Sequence, residues 1–202
     1  MGLPNKPKEE AVSTLPSVSI PEMINQSKIV LTKPSVTTFE QYERQGNVTS
    51  AAIYVGIVAV ITGLLGFFPA LLFENFATAL GGFLAGIIST LLGFFVFTGL
   101  VYYIGQRQGG TGTFDEVAYT FALFWAPLAL LSSLIVLILT ITIVGLLLVP
   151  LVAIAAIVLN IYFAYMAVQS SMNLRDQSKI LLTLVSAGVG AIVIQLLVGW
   201  IS

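Results

Sequence analysis

The stretch Val117–Leu174 reads VAYTFALFWAPLALLSSLIVLILTITIVGLLLVPLVAIAAIVLNIYFAYMAVQSSMNL and holds no Asp, Glu, Lys or Arg. One helical crossing of the ~30 Å hydrocarbon core of a bilayer takes ~20 apolar residues. The stretch is therefore long enough for two crossings and the hairpin between them. The turn falls near Thr140–Gly145, where no charge holds it out in water. Pro127 lies in the first crossing and Pro150 in the second. Each frees a carbonyl and can bend its helix, which shapes a bundle.

On either side the pattern repeats. Residues 45–73, 75–106 and 180–202 are also free of charged side chains, and each has the length of one crossing. The chain is thus predicted to be an all-α, polytopic integral membrane protein with five transmembrane helices. The expected spans are about 50–73, 76–104, 115–138, 144–168 and 179–201. Thr49 or Ser50 is the expected cap of the first span. Two parts follow: a polar tail over 1–49 and a five-helix transmembrane domain over 50–202. With the N-terminus inside and the C-terminus outside, all eight Lys and Arg residues fall on one side. These are Lys6, Lys8, Lys28, Lys33, Arg44, Arg107, Arg175 and Lys179. That asymmetry matches the positive-inside rule.

Composition narrows the chemistry. Hydrophobic residues make up 57% and charged residues 8%, against about 25% charged in soluble domains. The net charge of −1 gives no basic surface for nucleic acid. The absence of Cys excludes disulfides, thiolate metal sites and thiol nucleophiles. The absence of His removes the commonest general base and the usual ligand of haem, copper or catalytic zinc. The spans carry no acidic pair and no nucleophile–base couple. No catalytic residue, cofactor or metal is expected. Residues 1–49 have no apolar core suited to a secretory signal, so the first span is expected to act as the uncleaved insertion signal.

Pro4, Pro7, Pro16, Pro21 and Pro34 interrupt the tail, which predicts a largely disordered segment. A short amphipathic piece around Ile20–Leu31 would suit a segment that docks on a partner or a membrane surface.

The loop ahead of the third span is the most specific local feature. Gly109, Gly110 and Gly112 let the backbone turn sharply. Thr113, followed three residues later by Glu116, forms a capping box, with Asp115 and Glu116 at the positive end of the helix dipole. A phosphate loop would end in Gly-Lys-Ser/Thr, and this one does not. The run Gly109-Gly110-Thr111-Gly112-Thr113-Phe114-Asp115-Glu116, then Tyr119 to Pro127 with Trp125, resembles the middle of the Yip (Ypt-interacting protein) membrane family. The five-span layout, polar tail and short outer C-terminus are similar too. The resemblance implies a membrane-trafficking or membrane-organising role, with small-GTPase contacts in eukaryotic members. Those members carry an Asp-Leu-Tyr-Gly-Pro-like motif near the first span, where this chain reads Phe39-Glu40-Gln41-Tyr42-Glu43-Arg44-Gln45-Gly46. The chain therefore resembles a prokaryotic, archaeal-type member. The location implied is the cell membrane in a prokaryote, or the Golgi and endoplasmic reticulum in a eukaryote.

Helix packing has its own residues. Gly82, Gly86, Ser89 and Gly93 share one face of the second span, and small faces let helices approach closely in lipid. They are expected to pack within the chain's own bundle, with a homo-oligomer seam as the alternative. Asn160 and Gln195 lie deep in spans and need hydrogen-bond partners there. Interhelical pairing is the expected reason for both. The function expected is a non-enzymatic membrane scaffold or adaptor, with the lipid bilayer and membrane or cytoplasmic proteins as partners. An accessory subunit of a larger membrane complex is the alternative. A small transporter or channel ranks lower, because no ionisable group marks a path through the spans.

Overall fold

The structure, a computed structural model, describes residues 18–140 and 142–201. Among the described residues there are seven helices. Two short ones come first, α1 (Ile20–Thr32) and α2 (Val36–Tyr42). Five long ones follow: α3 (Val48–Ala70), α4 (Phe76–Arg107), α5 (Phe114–Thr140), α6 (Ile143–Ser171) and α7 (Gln177–Ile201). All five are long and apolar enough to cross a membrane. Their outer surfaces are apolar as well: Leu147, Ile154, Leu182 and Ile192 stand exposed on α6 and α7. Such faces are stable in hydrocarbon and not in water.

Helix starts follow local chemistry. Asn47 caps α3 by accepting from the Ser50 N–H at 2.9 Å. The expected cap at Thr49 or Ser50 thus gives way to the amide just upstream, and the helix begins earlier. Asn75 caps α4 through the Thr78 N–H at 3.0 Å. Thr142 caps α6 through the Gly145 N–H at 2.9 Å. Asp176 accepts from the Ser178 N–H at 2.9 Å and opens α7.

The helices form a ring in the order α6, α5, α3, α4, α7, closed least tightly between α6 and α7. Small residues sit at two of the tight contacts. At Gly63 an added Cβ would lie 3.0 Å from the Phe83 ring, and at Gly190 it would lie 3.0 Å from Leu100. Aromatic rings fill the middle. Phe124 stacks on Phe163 with centroids 5.7 Å apart, and Phe39 meets the Phe124 ring edge-on at 6.2 Å.

The polar segment before α3 corrects the sequence expectation. From Ile20 it is helical, and it is folded onto one end of the bundle. Met23, Val30, Phe39 and Tyr42 are buried and belong to the same apolar core as α3, α5 and α6. The prolines mark boundaries: Pro21 lies in the first turn of α1, and Pro34 sits in the link to α2. Proline there removes no helix hydrogen bond. Its apolar residues come at helical spacing, and burying them offsets the entropy of ordering. Residues 1–17 and the Trp200 side chain lie outside the described residues.

Candidate interaction face

At the end of the bundle where α4 stops and α5 begins, α1, α2 and two loops form a cap. Three connections build it, each from residues whose chemistry demands a partner.

The first is a polar chain, buried at Tyr119 and Gln26. Tyr119, on α5, donates from its hydroxyl to Gln26 Oε1 at 2.7 Å. Gln26 Nε2 donates in turn to Gln45 Oε1 at 2.9 Å. Beside it the Ser27 and Tyr54 hydroxyls are 3.1 Å apart. Gly46 lies flat against the Tyr119 ring, where any Cβ would overlap it. The cap is therefore joined to α3 and α5 through satisfied polar groups as well as apolar contact.

The second is a cluster of charges. Arg44 Nε donates to Glu116 Oε1 at 3.0 Å and lies 3.8 Å from Glu43 Oε1. Glu43 is buried between α2 and α6, where the Ser170 hydroxyl donates to its carboxylate. Burial, above all, pushes the Glu43 carboxyl above its ordinary value; the nearby Glu116 and Glu40 charges add to the rise, and Ser170 and Arg44 oppose it. Arg44 is mostly exposed, so its ion pairs orient the cluster more than they stabilise it.

The third is the glycine-rich loop. Gly109 has φ +94°, a conformation that favours glycine. Thr111 N–H donates to the Met172 carbonyl at 3.1 Å, which docks the loop on the end of α6. A Cβ on Gly110 would lie 2.9 Å from both the Gly105 and Met172 carbonyl oxygens. One on Gly112 would overlap the Ser171 carbonyl. The capping box forms as its spacing requires: Thr113 N–H donates to Glu116 Oε2 at 2.8 Å, and Glu116 N–H donates to Thr113 Oγ1 at 3.2 Å. Phe114 packs against Tyr102 with centroids 5.8 Å apart. Pro127 lies further along α5, inside the helix and away from the cap.

The glycines, Thr113, Phe114 and Glu116 thus gather at one place. The small-residue face behaves differently. Gly82 and Gly86 are exposed with open space around them, and Ser89 is exposed too. Of the three glycines, Gly93 meets a neighbour, the Gln195 side chain of α7. That contact is between α4 and α7, within the bundle. Asn160 donates to the Ala156 carbonyl of its own helix at 2.8 Å, not across helices as expected. The pairings of Gln26, Glu43, Gly46 and Ser170 leave no local signal in the sequence. The one available signal was Tyr119, a polar tip a single turn into an apolar span.

The outward side of the cap mixes apolar and basic groups. Ile24 and Ile29 stand exposed on α1 near Lys28 and Lys33. Among the described residues, no three His, Cys, Asp or Glu side chains gather as metal ligands.

The Yip1 domain family model matches residues 28–198, which runs from within α1 into α7 and takes in the whole glycine-rich loop. No curated protein and no solved structure matches the chain.

Proposed function

The chain belongs to the Yip1 domain family of multi-pass membrane proteins, a family implicated in membrane trafficking and generally non-enzymatic, and from that premise we propose that it works as a membrane scaffold. The five long helices anchor it, and the cap formed by α1, α2 and the loop over 108–113 receives a protein partner. The observation that carries this reading is the way the cap is built. Met23, Val30, Phe39 and Tyr42 fix α1 and α2 on the bundle, while Ile24, Lys28 and Ile29 remain outward. A surface held rigid before binding loses little entropy when a partner arrives.

The cap faces the cytoplasm in this proposal. Its support is the placement of cations: Arg44, Arg107, Arg175 and Lys179 all lie at the cap end of the described helices. Positive charge stays on the cytoplasmic side.

Site-directed photocrosslinking in native membranes tests the proposal. A photoreactive residue at position 24, 28 or 41 is expected to yield a discrete protein adduct. The same probe at the outward Ile154 or Leu182 is expected to label lipid. Only lipid adducts from all five positions would end the scaffold reading.

A further inference from the structure

The α6–α7 seam, where the ring closes least tightly, opens into a cleft. The half nearer the cap holds about 370 Å³ between walls such as Phe124, Leu181 and Val185. The far half holds about 700 Å³ and is bordered by Ser89, Thr90 and Gln195. Trp125, Asn160 and Gly188 line both, so the two halves adjoin.

The cleft is polar at one end only. Asn160 has spent its amide donor on the Ala156 carbonyl, and from there toward the cap the lining is hydrocarbon and aromatic. Gln195 has no hydrogen-bond partner among the described residues and lies against Gly93 of α4. An amide left without a partner in hydrocarbon is costly. Gln195 is 18 residues from the start of α7 at Gln177, a rise of ~27 Å. In a core ~30 Å thick, that places the amide in the far leaflet's half.

Width selects the occupant. The cap half runs along Leu181–Ile192, a rise of ~17 Å. Spread over that length, and widened by the ~1.4 Å radius of a water on each side, its 370 Å³ makes a slot roughly 7–8 Å across, narrower than the ~10 Å of a helix. A second protein helix does not enter it.

We propose that the cleft is a lipid site: it holds one acyl chain of a glycerolipid from the far leaflet, whose ester carbonyl accepts a hydrogen bond from the Gln195 amide. The chain runs past Trp125 and Gly188 into the apolar half. The slot admits one hydrocarbon chain, and the amide sits where the polar end of that lipid lies. No charged side chain lines the cleft, so the site recognises the ester region and not the headgroup charge.

The test uses the full chain reconstituted in phosphatidylcholine vesicles, transferred to mild detergent and weighed by native mass spectrometry. One phosphatidylcholine retained per chain is expected. Gly188→Leu projects into the slot from a position whose Cβ meets nothing within 4 Å, so the helix accepts it while the chain is displaced. Retention is expected to fall at least tenfold. Gln195→Leu keeps the slot open, and is expected to cut retention several-fold and to abolish preference for the ester lipid over its ether analogue. A second readout is quenching of Trp125 by phosphatidylcholine with brominated chains, in a Trp200→Phe background. Strong quenching, with little from aqueous acrylamide, supports the site. Equal retention in the wild type and both variants overturns it. So does acrylamide quenching that marks a water-filled cleft, or a stoichiometric second copy of the chain in place of the lipid.

Discussion

Asp115 Oδ1, at the start of α5, accepts a hydrogen bond from the Val48 backbone N–H at 2.7 Å, at the start of α3. One helix thus caps another. The first N–H groups of α3 have no partner within the helix; Asn47 serves that of Ser50, and Asp115 serves that of Val48. Its neighbour Glu116 closes the capping box of α5 and reaches Arg44 in the cap. Two adjacent carboxylates therefore register α3, α5 and the cap against one another.

Asp115→Ala is expected to lower stability by about 1–2 kcal/mol, the usual loss for a helix cap. Asp115→Asn keeps an acceptor oxygen and is expected to lose less than half as much. Thr113→Ala should cost about 1 kcal/mol by removing one arm of the capping box. Thermal unfolding in a single detergent checks all three. Equal melting temperatures for Asp115→Ala and the wild type would show that the interhelical cap contributes nothing.

Gly112→Ala is expected to cost about 3 kcal/mol, at the upper end of overpacking penalties, because its Cβ would overlap a backbone carbonyl that cannot rotate away. Gly86→Ala is the matched control. Its Cβ meets open space, and replacing glycine inside a helix gains roughly 0.5–1 kcal/mol. The pair is expected to move melting temperature in opposite directions, and protease cleavage in the loop should appear only in Gly112→Ala.

Much of this organisation is legible in the sequence, for a physical reason. Lipid forces the backbone into helices and bars charge from the core, so the uncharged runs reveal the five spans almost directly. The capping box reads just as plainly, because Thr113 and Glu116 meet by local spacing alone. The cap is less legible because its residues are polar on average and only the spacing of its apolar ones is helical: Met23, Val30, Phe39 and Tyr42 bury one face against helices far along the chain. Pairings such as Tyr119 with Gln26 or Glu43 with Ser170 depend on that packing and leave no local trace. The same holds for Gly82 and Gly86, whose spacing gives a shared face but not what lies opposite it.

Glu43 makes stability depend on pH with a definite sign. Its carboxyl is raised from an ordinary value of 4.5, first by burial. The native state therefore binds more protons than the unfolded chain, and stability falls as pH rises. Its contribution is fully present below about pH 4.5 and is lost as pH climbs through the native value. Glu43→Gln keeps an acceptor for Ser170 and removes the titration. The difference in melting temperature between variant and wild type is expected to widen in the variant's favour as pH rises, then level off. A difference independent of pH would assign the titration to another group.

The Gly46–Tyr119 contact sets how the cap meets the bundle, and two substitutions separate its parts. Tyr119→Phe keeps the ring against Gly46 but leaves Gln26 Oε1 without its donor in a buried place. A loss of about 1–3 kcal/mol is expected. Gly46→Ala keeps the hydrogen bond but drives a Cβ into the ring, and is expected to cost about 1–3 kcal/mol through overpacking. If both act by tilting the cap, hydrogen exchange should quicken across α1 and α2 in each variant while α4 and α7 stay protected. Gly46→Ala combined with Tyr119→Leu, which removes the crowding ring edge, should then cost less than the sum of Gly46→Ala and Tyr119→Leu made singly, with a coupling of about 0.5–3 kcal/mol. Strict additivity would mean that Gly46 and Tyr119 do not constrain each other, and the cap would have to be held by its apolar contacts alone.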